Sequence, residues 1–249
     1  MDAVIDVSFL LTQAMSLMLL FVVQYSSGLL VLRYGVKVNY TRKINHFLLF
    51  VVPILLNSEY AVDQTVGLFV LGASLAVFKF VFYVKPIRDR VPFISTMFAS
   101  FDRPEDRPNT LVWLVTQTAA GYLVLLPTGI LLAEFGFLRL ILIPLLIYGI
   151  GDGLAEPIGV RFGKHKYAAG GLFTDKQYYR TFEGSACVFL TSVVVIAAHH
   201  SYFSNLQLVV ALAVIPLVMT LAEAFSPHTW DSPLMFLVGG LSVLGIMFI

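Results

Sequence analysis

Two carboxylates four residues apart, Asp152 and Glu156, lie within the run Gly149-Ile150-Gly151-Asp152-Gly153-Leu154-Ala155-Glu156-Pro157-Ile158-Gly159-Val160-Arg161-Phe162-Gly163-Lys164. On a helix this spacing puts both acids on one face. At about 100° per residue, Gly159 and Gly163 fall within about 20° of the same stripe. Pro157 has no N–H, which frees the Gly153 carbonyl one turn earlier. An acid pair beside a spare carbonyl suits a hard divalent cation such as Mg²⁺, which takes one or two carboxylates together with substrate phosphates. The same residues also allow a plainer use. Gly159-x-x-x-Gly163 is a helix-packing motif in membranes, and Asp152 can pair with a basic residue of another helix.

Cations flank this run. Lys164, His165 and Lys166 open the loop that follows, and Arg180-Thr181-Phe182-Glu183-Gly184-Ser185 closes it. Carboxylates for a metal and Lys or Arg for phosphate oxygens together describe a site for a metal–polyphosphate. An ordinary basic loop would account for the lysines equally well, and Glu183 would complement the positive end of the helix it begins. Earlier in the chain, Arg42-Lys43-Ile44-Asn45-His46 precedes an apolar segment, and Glu223 and Asp231 add two acids on the same side. His199 and His200 fall on the other side, as interfacial residues with no catalytic role.

The elements that position these groups follow from composition. Of 249 residues, 58% are apolar and only 12% charged, against about 45–50% and about 25% in soluble domains. Too little charge remains for a water-facing surface. A soluble enzyme, a disordered chain and a disulfide scaffold are excluded, and the lone Cys187 cannot form an intrachain bridge. The apolar residues fall in blocks of about 20, the length that crosses a hydrocarbon layer. Eight candidates are Ser8–Leu32, Phe47–Val62, Thr65–Val84, Leu111–Ala133, Phe137–Val160, Gly184–His199, Leu206–Phe225 and Pro233–Ile249. The second, interrupted by Pro53, Asn57 and Glu59, and the short sixth are the weakest. The expected fold is an all-α polytopic bundle of about seven to eight spanning helices, with residues 1–249 forming one domain in a lipid bilayer.

Charge sets the expected orientation. Fourteen of the sixteen Lys and Arg residues fall in three loops, at 33–43, 85–107 and 161–180. Only Arg139 lies in a loop of the opposite side, and Lys79 lies within the third segment. The opposite side carries Glu59, Asp63 and Glu134, with Asp2 and Asp6 at the terminus. The positive-inside rule then places the basic loops in the cytoplasm and both termini outside. The first apolar run has no basic residue ahead of it and is too long for a signal-peptide core, so it is expected to stay as a span. Without an organelle-targeting signal, a bacterial plasma membrane is the expected location. The net charge of +1 gives no ground for a nucleic-acid partner.

Arg-Lys-x-x-His at 42–46, Gly-Asp-Gly-x-Ala-x-x-x-Gly-x-x-x-Gly-Lys at 151–164 and the basic-Thr-x-Glu-Gly-Ser box at 180–185 together resemble the family of dolichol kinases, phytol kinases and CTP-dependent diacylglycerol kinases. That family is related more distantly to phosphatidate cytidylyltransferases. The motifs run in the family's order through residues 42–231, most of the chain. The resemblance implies a membrane enzyme that phosphorylates a lipid alcohol with CTP and requires Mg²⁺. The expected acceptor is an isoprenoid such as phytol or a polyprenol, with diacylglycerol the other choice. By matching position, Asp152 and Glu156 would hold the metal, and Lys164, Lys166, Arg180, Gly159 and Gly163 would bind the nucleotide. Arg42 and Lys43 would add to that site, and Asp152, Glu183 and His46 are the candidate catalytic groups. The chain departs from the family pattern in having Glu156 for Asp, Arg180 for Lys and Asp231-Ser232 for Asp-Asn. Two other readings stay open. One is a cytidylyltransferase that makes a CDP-lipid from phosphatidate, and the other is a transporter with an intramembrane carboxylate as its ion site.

Overall fold

The computed structural model describes residues 7–56, 66–172 and 174–249. Asp2, Asp6, Glu59, Asp63 and the far end of the second expected span lie outside these. The described chain forms helices α1 (Val7–Tyr34), α2 (Val38–Leu56), α3 (Val66–Phe78), α4 (Lys85–Arg88), α5 (Pro92–Ala99), α6 (Thr110–Glu134), α7 (Leu142–Leu146) and α8 (Gly153–Phe162). A hairpin of strands β1 (Lys166–Gly171) and β2 (Thr174–Thr181) follows, and then α9 (Phe182–Ala198), α10 (Asn205–Phe225) and α11 (Asp231–Met247). This is an all-α polytopic membrane bundle carrying one small hairpin.

Among the described residues, five helical stretches are long and apolar enough to cross a bilayer: Phe9–Tyr34, Val66–Tyr83, Thr110–Glu134, Leu138–Phe162 and Asn205–Phe225. The sixth and eighth expected spans are the 17-residue helices α9 and α11. Large apolar side chains such as Leu11, Met18, Leu123 and Val209 stand outward, as they can where the solvent is lipid. The loop at 161–183, read from sequence only as basic, holds the hairpin instead.

The contacts divide the chain into two compact units, Met1–Ala119 and Ala120–Ile249. In the first, α1 packs on α2 and α5. Gly28 permits the second contact, since a Cβ there would fall 1.8 Å from the Thr96 carbonyl oxygen. Phe80, Tyr83, Phe98 and Phe101 form an aromatic core with Ile94 and Met97, against which Leu111, Leu114 and Val115 of α6 pack. Lys79, a cation of the third expected span, is buried with its ammonium 5.4 Å from the Phe80 ring centroid.

In the second unit, α9 packs between α8 and α10, and α10 packs on α11. Its core includes Ile143, Ile147, Val188, Ile215, Met219 and Met235. The start of α10 follows from sequence: the Ser204 hydroxyl accepts from the Gln207 N–H, and the Gln207 side chain accepts from the Ser204 N–H, which satisfies two orphan donors.

Candidate functional site

The acid pair lies in the helical rod that begins at Leu138. Within it, residues Ile147–Asp152 form a π-helical turn and Gly153–Phe162 continue as α8. Such widened turns are frequent at functional sites. Gly151 lets α9 approach this turn closely, because a Cβ there would fall 3.0 Å from the Val188 Cα. Asp152 is buried, at 5% exposed, and Glu156 is half-buried one turn further on. Pro157 lies within α8, as the sequence requires for an uncommitted Gly153 carbonyl.

The two glycines downstream meet a single side chain. A Cβ at Gly159 would fall 2.7 Å from Thr181 Oγ1, and one at Gly163 would fall 2.5 Å from Thr181 Cγ2. Gly163 itself has left the helix with an extended backbone, so only Gly159 stays on the acid-bearing stripe. Close packing against Thr181 accounts for both glycines. Thr181 in turn caps α9, its hydroxyl accepting from the Gly184 N–H at 3.1 Å. The Thr-x-x-Gly spacing of the box is thus a helix start.

The hairpin is antiparallel, with Tyr167 opposite Arg180 and Ala169 opposite Tyr178. Paired residues share a face, so Tyr167, Ala169, Tyr178 and Arg180 form one side and Lys166, Ala168, Tyr179 and Thr181 the other. The first side is the docked one. Arg180 Nη1 donates to Glu223 Oε1 at 2.7 Å and to the Glu223 carbonyl. Its Nη2 donates to Asp231 Oδ1, to the Ser226 carbonyl at 3.1 Å and to Ser226 Oγ at 3.0 Å. Ser226 Oγ also lies 2.6 Å from Asp231 Oδ1. The Ser185 hydroxyl donates to Glu223 Oε2 at 2.8 Å and pairs with the Tyr167 hydroxyl at 2.6 Å. Tyr178 stacks on His228 with ring centroids 3.7 Å apart, and the His228 N–H donates to the Gly170 carbonyl at 2.7 Å.

Glu223 and Asp231 are buried and Arg180 is half-buried, their side chains 6%, 8% and 12% exposed. Burial on its own would lower the Arg180 pKa, but Asp231 and Glu223 outweigh it and hold it above the ordinary arginine value. Arg180 is therefore charged at every working pH. Burial first, and the Glu223 charge next, push the Tyr167 phenol up, so that it keeps its proton. Two carboxylates, Glu223 and Asp231, thus share one guanidinium.

Lys164 and Lys166 are exposed at the entry to the hairpin. Between them the His165 ring nitrogen Nδ1 lies 2.8 Å from Glu183 Oε1, and the His165 N–H donates to the same carboxylate at 3.3 Å. Glu183 thereby ties the start of the hairpin to the first turn of α9. Asp152, Glu156, Gly159, Gly163, Arg180 and Glu183 all belong to the second unit. Arg42, Lys43 and His46 belong to the first. There Lys43 is buried, Arg42 and His46 are half-buried, and His46 lies 5.1 Å from the Phe50 ring. The same stretch of α2 is fixed by the Thr41 hydroxyl on the Ser100 carbonyl at 2.8 Å and the Asn45 amide on Ser100 Oγ at 2.9 Å.

From sequence, Glu223 is only an acid on the expected side, Asp231 is that and the start of the final motif, and Tyr167 and Ser226 have no assigned role. A signal for the hairpin was present. Two short Tyr-bearing runs, Lys166–Ala169 and Gln177–Thr181, stand on either side of a stretch that opens with Gly170-Gly171, a strand–turn–strand pattern. Among the described residues, no group of three or more His, Cys, Asp or Glu is arranged to hold a metal ion. A two-carboxylate site at Asp152 and Glu156 still fits Mg²⁺, which draws the rest of its shell from water and phosphate. No family model, curated protein or solved structure matches the chain.

Proposed function

We propose that the chain is a CTP-dependent kinase of a membrane lipid alcohol, an isoprenoid such as phytol or a polyprenol, working at the cytoplasmic face of a bacterial plasma membrane. One observation carries the reading. The buried Asp152, the half-buried Glu156 and the basic, hairpin-bearing segment 164–185 belong to one compact unit of a membrane bundle. Ionisable groups at membrane depth are costly and mark functional positions.

Asp152 and Glu156 would hold Mg²⁺, which when bound neutralises phosphate charge. Lys164 and Lys166 are the exposed cations for the nucleotide's phosphate oxygens, and as point charges they suit that use. Glu183, held against His165, keeps this stretch in place at the head of α9. Phosphoryl transfer demands positioning and charge neutralisation more than covalent chemistry, so a set of two acids and two lysines on fixed elements is sufficient in kind. The lipid hydroxyl would attack the γ-phosphorus, CDP would leave, and the hydroxyl proton would pass to a carboxylate or to water. Incubation of the purified protein with labelled CTP and a panel of lipid alcohols tests the proposal. Label in a lipid monophosphate supports it. Label only in a CDP-lipid made from phosphatidate would assign the cytidylyltransferase reaction instead.

A further inference from the structure

The side of the hairpin that faces the bundle is held by one guanidinium. Both terminal nitrogens of Arg180 are committed to protein acceptors, from Glu223 at the end of α10 to Asp231 at the start of α11. A guanidinium has five N–H donors, and the four on its terminal nitrogens face these acceptors. Little of the planar fork is left for a phosphate. The exposed lysines of the same segment, Lys164 and Lys166, make no comparable contact with the helices.

We propose that Arg180 is a positioning residue, and that Glu223 and Asp231 act through it to clamp the hairpin onto the α10–α11 turn and so fix Lys164 and Lys166 for the nucleotide. This deepens the kinase reading and rests on the assignment of the two lysines to phosphate. The clamp is built in layers. Ser185 joins Glu223 to Tyr167 of β1, Ser226 joins the α10–α11 turn to both Arg180 and Asp231, and Tyr178 on His228 closes the outer side. Both strands are therefore tied down through residues of one face. A released hairpin would keep its own ladder but lose its place on the bundle, and Lys166 would move with β1. Glu223 and Asp231 need not touch the nucleotide to matter for its binding.

The test compares Glu223→Gln, Asp231→Asn and the pair with Arg180→Lys and Lys164→Ala, each checked for unchanged helical content and elution in detergent. Trypsin cleavage at Lys166 and Lys176 reports hairpin release, since a strand in place is cut only from its open population. The paired carboxamide variant should be cut at least about tenfold faster than the unaltered protein, and Lys164→Ala at the unaltered rate. The same pair should raise KM for CTP about tenfold with a smaller loss in kcat. Adding Lys164→Ala to it should raise KM little further, because a displaced lysine has nothing left to lose. Arg180→Lys, which keeps the charge but not the fork, should change both properties less than the pair does. Unaltered trypsin resistance in the pair would overturn the proposal, as would a loosened hairpin with unaltered KM or a full additional KM effect of Lys164→Ala. If the unaltered protein transfers no phosphate to any lipid alcohol, the kinase reading fails. Equilibrium dialysis with labelled CTP then takes the place of KM, and weaker binding in the clamp variants still supports the clamp while equal binding overturns it.

Discussion

Replacing Arg180 by Met removes the charge that Glu223 and Asp231 share while keeping the bulk of the stem. Two carboxylates, 6% and 8% exposed, would be left without their guanidinium. Each charge-assisted hydrogen bond lost is worth about 1.5–3 kcal/mol, so two put the loss at about 3–6 kcal/mol. Removing one partner of a buried ion pair typically costs about 3–5 kcal/mol. The Ser185 hydroxyl on Glu223 and the Ser226 hydroxyl on Asp231 remain, which moves the expectation toward about 3 kcal/mol. The assay is reversible unfolding in mixed micelles titrated with a denaturing detergent, followed by the fluorescence of Trp230, the residue before Asp231. The origin of the cost has its own signature. With Glu223→Gln and Asp231→Asn added to Arg180→Met, the unpaired charges disappear, and at least about 2 kcal/mol should return. An Arg180→Met protein less than about 1 kcal/mol below the unaltered one would refute the reasoning, and so would a triple variant whose losses simply add.

Gly28→Leu should separate α1 from α5, because even a Cβ would lie 1.8 Å from the Thr96 carbonyl. A destabilisation of about 1–3 kcal/mol should appear as earlier aggregation in heated, size-fractionated detergent samples. Asp152→Asn and Glu156→Gln should each abolish turnover, a loss of several kcal/mol in transition-state stabilisation, while insertion and helical content persist. Near-normal activity of either at ordinary Mg²⁺ would remove that residue from the metal site. Single cysteines at the exposed positions Lys37, Arg90 and Lys176, in a Cys187→Ala background, should resist an impermeant thiol reagent in intact cells, and labelling of all three from outside would reverse the orientation.

The spans were legible because lipid imposes a crude rule: about 20 apolar residues between charged loops. All eight segments read from sequence are helical where described, and the basic loops bound them. The hairpin was not legible at the same level. Its polar and basic content reads as a loop, and its place on the bundle rests on partners outside the hairpin: His228 for Tyr178, Glu223 for Arg180 and Ser185 for Tyr167. The i, i+4 relation of Asp152 and Glu156 followed directly from helix geometry, whereas the π-turn that ends at Asp152, and the close approach of α9 to it at Gly151, leave no such local spacing. Motif reading treated Gly159, Gly163 and Arg180 as nucleotide contacts. In three dimensions the first two receive Thr181, Thr181 caps α9, and Arg180 meets Glu223 and Asp231. Sequence spacing cannot separate these uses, since partners 43 and 51 residues away leave no local periodicity.

The phosphorus itself decides the central claim. Purified protein is supplied in parallel with CTP labelled at the γ-phosphorus and at the α-phosphorus, in the presence of phytol, a polyprenol, diacylglycerol and phosphatidate. A lipid-alcohol kinase transfers the γ-label into the lipid extract as a monophosphate and leaves the α-label in water as CDP. Transfer of α-label to phosphatidate, with no γ-label reaching any alcohol, would contradict the kinase assignment.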